Sequence, residues 1–512
     1  MKIERTKNAY RNIIFGIVLK IYQIIIPFLI RTVMIWFIGV EYIGLNGLFT
    51  SILQVLNLTE LGVGSAMVYS MYKPIADDDI PQICKLLNLY KKYYNIIGCI
   101  ILVIGIIMTP IIPHLINDKV PQDINIYYLY WFNLAATVCS YWLFSYKNSI
   151  LQAHQRVDIL SKVTILTSTV QYIFQFVAIC VYKNYYFFVI TVLVGQVLTN
   201  IFTAIISTIC YPNYKAEGKL EKNIVDDINQ RIKDLFTSKV GSVVVNSVDT
   251  LVISAFLGLT ILGMYQNYYF IITAIIGFMD VIFAACMAGI GNSLIVESKL
   301  KNFNDLNKFT FIIVWITGVG SCCLINVLQE FIELWVGDIY IFDYKVVICF
   351  CVYFYIYEVN RLLNTYKDAG GIWHQDRFRP LVTAFVNMGM NLLTVKFWGV
   401  YGVLISTVLS MLIVGMPWIM KNLFTTLFEE EQLKLYLKKL LVYTMGVVFI
   451  CGICTNIINN VLNFDGLLNI FLRVFSCTVI FNLFWLLLFG KTKECKEGLN
   501  LVKGLLLKKS KN

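Results

Sequence analysis

Apolar positions along this chain run on in long blocks and do not alternate. Blocks of about twenty residues or more, parted by short polar breaks, are the pattern of helices that cross a bilayer. Fourteen such blocks predict spans over 13–38, 43–69, 93–116, 125–146, 163–182, 186–210, 239–258, 264–292, 309–331, 344–366, 381–397, 402–424, 440–458 and 468–490. Trp131, Tyr141, Trp142, Tyr265, Tyr268, Trp335, Trp398 and Trp418 stand near predicted ends, as interfacial aromatics do. Nothing resembles the ten-residue alternating segments of a membrane barrel. The expectation is an all-α, polytopic membrane protein of about fourteen helices.

Composition narrows the function classes. The 512 residues are 58% hydrophobic and 14% charged, against about 25% charged in soluble domains. That excludes a soluble enzyme, a disordered protein and a nucleic-acid binder. The net charge of +11 marks orientation. With the N-terminus placed inside, 34 of the 42 basic residues fall in inner loops and tails, five lie within spans, and only Lys119, Lys183 and Lys396 fall outside. This is a strong positive-inside bias, and it predicts cytoplasmic termini. The first apolar block follows Arg5, Lys7 and Arg11 and is too long for a cleaved signal, so it reads as a signal-anchor.

Several chemistries have no residues to carry them. Fourteen cysteines lie almost wholly within apolar blocks, and the single C-x-x-C, Cys451–Cys454, has no partner pair. Small buried apolar residues are the ordinary reading of such cysteines. His114, His154 and His374 show no metal-ligand spacing, and no P-loop occurs. Gly62-Val-Gly64 and Gly289-Ile-Gly291 read as helix-packing or helix-ending glycines. Outer loops are short, the longest (332–343) having twelve residues, which leaves no room for a folded acceptor domain. No cofactor is expected.

Two local similarities suggest an internal repeat. Ala153-His-Gln-Arg156 and Trp373-His-Gln-Asp-Arg377 both occupy inner loops, with their histidines 220 residues apart. Leu61-Gly-Val-Gly-Ser-Ala-Met67 and Ala288-Gly-Ile-Gly-Asn-Ser-Leu294 both end spans. The predicted organisation is an N-terminal lobe of six helices (1–215), a linker (216–238), a C-terminal lobe of six (239–425), then two further helices and a basic tail (426–512).

Ionisable groups at mid-bilayer cost roughly 2.5–3.5 kcal/mol each on the insertion scale, so each needs a reason. Lys20 and Arg31 are eleven residues apart, about three turns, so they share one helix face ~16 Å apart along the axis, with Pro27 between them. They form either a cationic ladder for an anionic ligand or two residues snorkelling to opposite surfaces. Glu60 lies near the depth of Lys20, and a pair between them is expected. Asp249 and Asp280 have no basic residue within a turn on their own helices; either can serve a coupling ion or simple packing. Glu358 and Arg361, at i and i+3, are expected to neutralise each other. Arg473 and Lys345 lie near outer ends and are expected to snorkel.

Ile30-Arg31, Gly39-Val-Glu-Tyr-Ile-Gly44-Leu-Asn-Gly47 and Thr59-Glu60-Leu-Gly62-Val-Gly64-Ser-Ala66 resemble Wzx-type polysaccharide flippases, as does Gly399-Val-Tyr-Gly402-Val-Leu-Ile-Ser406-Thr. These belong to the superfamily that includes MATE antiporters and lipid II flippases. Family members often have Asp where this chain has Glu60, and Lys20 matches no family motif. The resemblance implies two MATE-like lobes around a cavity, alternating access in a bacterial inner membrane, and a polyprenyl-pyrophosphate-linked oligosaccharide as cargo. On that reading Arg31, Lys20 and Arg361 hold substrate, while Glu60, Asp249, Asp280 and Glu358 are the acidic groups for coupling to protons, sodium or membrane potential. Membrane lipids and the polymerase and glycosyltransferase machinery are the expected partners. An ion-coupled drug antiporter, which would favour an acidic cavity, and a membrane polymerase are the alternatives.

Overall fold

The computed structural model describes residues 5–60, 62–117, 120–461 and 466–508; these are helical almost throughout, with no strand among them. Leu61 of the glycine motif, Lys119 of the outer loops and residues 509–512 of the basic tail lie outside the described residues. The chain divides into two compact units, Met1–Gly263 and Met264–Asn512. In the first are α1 (Arg5–Phe37), α2 (Val40–Leu56), α3 (Val63–Ala76), α4 (Ile80–Met108), α5 (Ile126–Trp142), α6 (Asn148–Ala153), α7 (Val157–Cys180), α8 (Tyr185–Cys210) and α9 (Lys222–Leu257). The boundary falls in the first turns of α10 (Leu259–Val296). The second unit continues with α11 (Lys299–Val336), α12 (Tyr344–Ala369), α13 (Trp373–Asp376), α14 (Arg379–Ser410), α15 (Met416–Thr426), α16 (Glu430–Val461), α17 (Gly466–Phe489) and α18 (Lys493–Lys508).

Ten helical stretches among the described residues are long and apolar enough to cross a membrane. The fourteen predicted blocks all fall largely on helix, and the two counts differ partly because Trp373–Thr426 qualifies as one stretch yet holds two predicted spans. Within it, Thr394 Oγ1 meets Ser406 Oγ at 2.9 Å and Asn387 Nδ2 donates to Thr407 Oγ1 at 2.9 Å. A straight helix would hold these pairs roughly 18 and 30 Å apart. The chain therefore folds back at Gly399 (φ 56°, ψ −137°), a backbone state that glycine adopts without a Cβ clash. The returning arm then passes through a π turn at Met411–Gly415 before α15.

Two expected boundaries shift. The block at 43–69 is not one helix: α2 ends, Asn57–Glu60 form a 3₁₀ turn, and α3 restarts after Gly62 at φ 93°. Only glycine takes that left-handed angle cheaply, so Gly62 restarts the helix. The expected linker at 216–238 becomes helical from Lys222 and runs unbroken into the next apolar block, because residues 222–238 contain neither Gly nor Pro. Tyr93 Oη donates to Asn229 Oδ1 at 2.6 Å and Arg231 lies 4.7 Å over the Tyr69 ring, so this segment is seated on α3 and α4.

Lipid is as apolar as leucine, so helices in it associate through close packing and internal polar contacts. Where α2 meets the start of α10, a Cβ on Gly44 would stand 2.3 Å from the Leu259 carbonyl oxygen, and one on Gly263 2.2 Å from that of Val40. The second unit packs differently: Phe311, Tyr443, Phe481, Trp485 and Phe489 join α11, α16 and α17 in one aromatic core.

The two His-Gln loops end in similar devices. In the first, Asp158 is fully buried, takes Arg156 Nε at 3.0 Å and Lys162 Nζ at 3.5 Å, and its N–H donates to Asn12 Oδ1 at 2.8 Å. In the second, Arg379 grips Asp376 through Nε (2.7 Å) and Nη2 (2.8 Å), while Asn422 Nδ2 donates to the same carboxylate at 3.1 Å. Pairing of this kind offsets the cost of burying an ionised carboxylate.

His154 beside the first device is 4% exposed and lies flat on Tyr211, with ring centroids 4.1 Å apart. Burial first, and then the Arg156 charge, push its pKa down to about 4 from 6.5. The folded protein keeps this ring neutral while an unfolded chain protonates it from pH 6.5 downward, so stability is lost as pH falls between 6.5 and 4. The melting temperature of the detergent-solubilised protein is expected to drop over that window, and His154→Phe, which keeps the stack, to flatten the drop. An unchanged profile in the variant would refute the assignment.

Candidate functional site

In the first unit the cationic face rests on α1, which is continuous from Arg5 to Phe37 through Pro27. Lys20 and Arg31 therefore keep one face and a ~16 Å axial separation; both are partly buried. The same helix is held along α7 by Tyr22 Oη on Thr169 Oγ1 (2.7 Å) and by Lys162 over the Phe15 ring.

Glu60 is not bound to Lys20; no ion pair joins them among the described residues. The 3₁₀ turn aims its carboxylate between α4 and α5, where Tyr94 Oη donates to Oε1 at 2.6 Å and Tyr141 Oη to Oε2 at 2.8 Å. Tyr90 Oη donates to Tyr94 Oη at 2.7 Å, and the Tyr94 and Tyr141 rings stack at 5.4 Å. Two phenols thus satisfy both oxygens where a lysine was expected. Hydrogen bonds to a charged group are each worth about 1.5–3 kcal/mol. Asp249 is buried in α9, as are Ser247, Thr250 and Ser254 of the same helix, and Ser247 Oγ lies 3.3 Å from Gln54 Oε1 of α2.

In the second unit the expected Glu358–Arg361 pair is replaced. Arg361 reaches from α12 to α10, its Nε 3.0 Å from Asp280 Oδ1, with both side chains about two-fifths exposed. Glu358, one turn earlier, is fully buried and neither oxygen has a hydrogen-bond partner. The i, i+3 geometry permits the local pair, but the interhelical carboxylate claims the guanidinium. Arg473 does not snorkel: it is 9% exposed and bonded to Glu330 at 2.7 Å.

Sequence reasoning missed two clusters. The tyrosines around Glu60 announce themselves only as Tyr90 and Tyr94, one turn apart on α4. The other is the buried amide and hydroxyl seam of the α14 hairpin, where Asn391 Nδ2 donates to Asn387 Oδ1 at 3.4 Å and Asn387 in turn to Thr407. Asn387 and Asn391 are likewise one turn apart in an apolar block, and that spacing is the signal both clusters share.

Long apolar helices carrying paired and caged charges within the bilayer define a multi-pass membrane protein. Solved structures similar to this chain include a lipid II flippase and MATE family transporters. A lipid II flippase MurJ in an inward closed conformation superposes with a TM-score of 0.70 at 15% identity, over 93% of this chain and 99% of that one. An inward-facing MATE family multidrug transporter of the MOP superfamily gives 0.63 at 14%, over 80% and 94%, and a MATE protein in a bent conformation 0.53 at 14%, over 85% and 97%. No curated protein sequence matches. The model of the family described as polysaccharide biosynthesis protein matches residues 9–287, and the chain belongs to that family.

The tyrosine cage yields a direct expectation. Tyr94→Phe and Tyr141→Phe each remove one donor from a partly buried carboxylate and should each cost about 1.5–3 kcal/mol, read as a fall in melting temperature. Lys20→Ala should not reproduce that loss; if it does, the lysine pair holds Glu60 after all.

Proposed function

We propose that this protein moves a polyprenyl-pyrophosphate-linked oligosaccharide from the inner to the outer leaflet of a bacterial inner membrane, through fourteen crossings with both termini cytoplasmic. The supporting observation is the two-cation face of α1 in a chain of the polysaccharide biosynthesis family. A pyrophosphate offers several acceptor oxygens, and guanidinium is the group that binds them with two parallel donors. In this reading Arg31 and Lys20 engage the head group at two depths as access alternates, while Arg361, half-exposed and already balanced by Asp280, takes part when that pair opens. The two lobes are residues 1–215 and 239–425, six crossings each, with two helices appended. Lipids and the glycan-assembling and polymerising enzymes are its partners, and the protein does no bond chemistry.

Coupling falls to the acidic residues, and Glu358 is the best placed. A fully buried carboxyl group with no donor at either oxygen is held as the neutral acid, because an isolated buried charge is far costlier. Its proton is the natural coupling charge, whereas Asp280 and Glu60 already hold side-chain partners.

Two measurements test this. Arg31→Ala should abolish surface polysaccharide while the protein remains in the membrane at normal abundance, with Arg31→Lys partly active; normal polymer in the alanine variant would sink the assigned role. Glu358→Gln mimics the neutral acid, so it should leave melting temperature near wild type while transport in vesicles stops responding to an imposed pH gradient. A retained response would move the coupling site elsewhere.

A further inference from the structure

Around the ends of α11 and α16 and the starts of α12 and α17 lies a cavity of about 260 Å³, lined chiefly by Asn326, Gln329, Glu330, Tyr344, Asn459 and Arg473. It is wholly within the second unit and uses none of the residues assigned above to substrate or coupling. Its walls are built. Arg473 bonds Glu330 (2.7 Å), Asn469 Oδ1 (3.3 Å), the Asn326 carbonyl (3.4 Å) and Asn459 Oδ1 (3.3 Å), and Asn469 Nδ2 donates to the second Glu330 oxygen at 2.8 Å. One group is left over. Asn326 is 6% exposed and gives its Nδ2 hydrogen to the Cys322 carbonyl at 2.8 Å, yet its Oδ1 is buried with no partner. Buried side-chain acceptors are rarely left this way, so the cavity wall lacks a donor.

The lining selects the ligand. Arg473 is neutralised by Glu330, and the exposed Glu333 also borders the cavity, so an anion meets net negative charge. No group of three acidic, His or Cys side chains suited to a metal occurs among the described residues. Amides, which carry both an acceptor and donors, match adjacent hydroxyls that both give and take hydrogen bonds, the carboxylate adds acceptors only, and the Tyr344 ring offers an apolar face. The volume lies below the ~300–1,000 Å³ of drug-sized sites, which suits one ring and no longer chain. We propose that this cavity binds a single neutral sugar ring, one of whose hydroxyls donates to Asn326 Oδ1. Two sources share that chemistry, the terminal residue of a lipid-linked glycan and a free monosaccharide; only the first rests on the transport reading.

The test uses the purified full-length protein in nanodiscs and saturation-transfer NMR with methyl hexopyranosides, methyl N-acetylhexosaminides and the corresponding free sugars. At least one should receive saturation, and Asn459→Leu and Gln329→Leu, at an exposed and a partly exposed position, should each weaken its binding tenfold or more with the melting temperature held within a few degrees of wild type. Binding of glycosides as well as free sugars assigns the site to a glycan end; binding of free sugars alone assigns it to a small solute. Either result supports the site. Absence of transfer from every sugar, equal binding by the variants, or displacement of the sugar by millimolar inorganic phosphate would overturn it. The measurement needs no transport, so its failure leaves the flippase reading standing, and normal polymer in Arg31→Ala leaves this one standing.

Discussion

Hydrocarbon supplies no hydrogen bonds, and from that single constraint most of this structure follows. A charged group that the chain carries into the apolar layer can be satisfied only by a partner within the protein. Glu60 finds two phenols, Asp280 an arginine on α12, Arg473 a carboxylate and three amide or carbonyl oxygens. The Asn387–Asn391–Thr407 seam does the same for a hairpin without any charge. These contacts fix which helices are neighbours more tightly than leucine against leucine could, because only the right neighbour has the donor.

The same constraint explains what was legible in the sequence. Apolar blocks are unavoidable in a spanning helix, so the fourteen blocks landed on helix, and the break at 398–401 coincided with the turn at Gly399. Partner choice is another matter. One dimension shows that Glu358 and Arg361 share a helix face, but not that Asp280 stands across from it on α10. Depth matching put Lys20 beside Glu60, whereas the direction of the Glu60 side chain is set by a 3₁₀ turn that hydropathy does not register. Tyrosines were invisible as ligands because they read as ordinary interfacial or core aromatics until a carboxylate is seen between them.

Unequal treatment of like residues is the second theme. Asp158 and Asp376 are locked by basic neighbours at short range, and a fixed ion pair of that kind resists movement. Asp280 and Arg361 stay about two-fifths exposed, which leaves them able to exchange partners. Glu358 has no partner to exchange. Like residues thus differ in the partners each one holds, and composition cannot report that.

The π turn at Met411–Gly415 sets the phase of everything after it. A π turn carries one residue more than the α-helical turn it replaces, so a deletion there would restore regular helix while rotating α15 by ~100° about its axis. Asn422 would then swing away from Asp376, and the returning arm of the hairpin would lose its register with the loop where that hairpin starts. One extra residue in mid-helix works as a phase shifter, letting a single rod meet the Asn387 seam with one face and the Asp376–Arg379 pair with another.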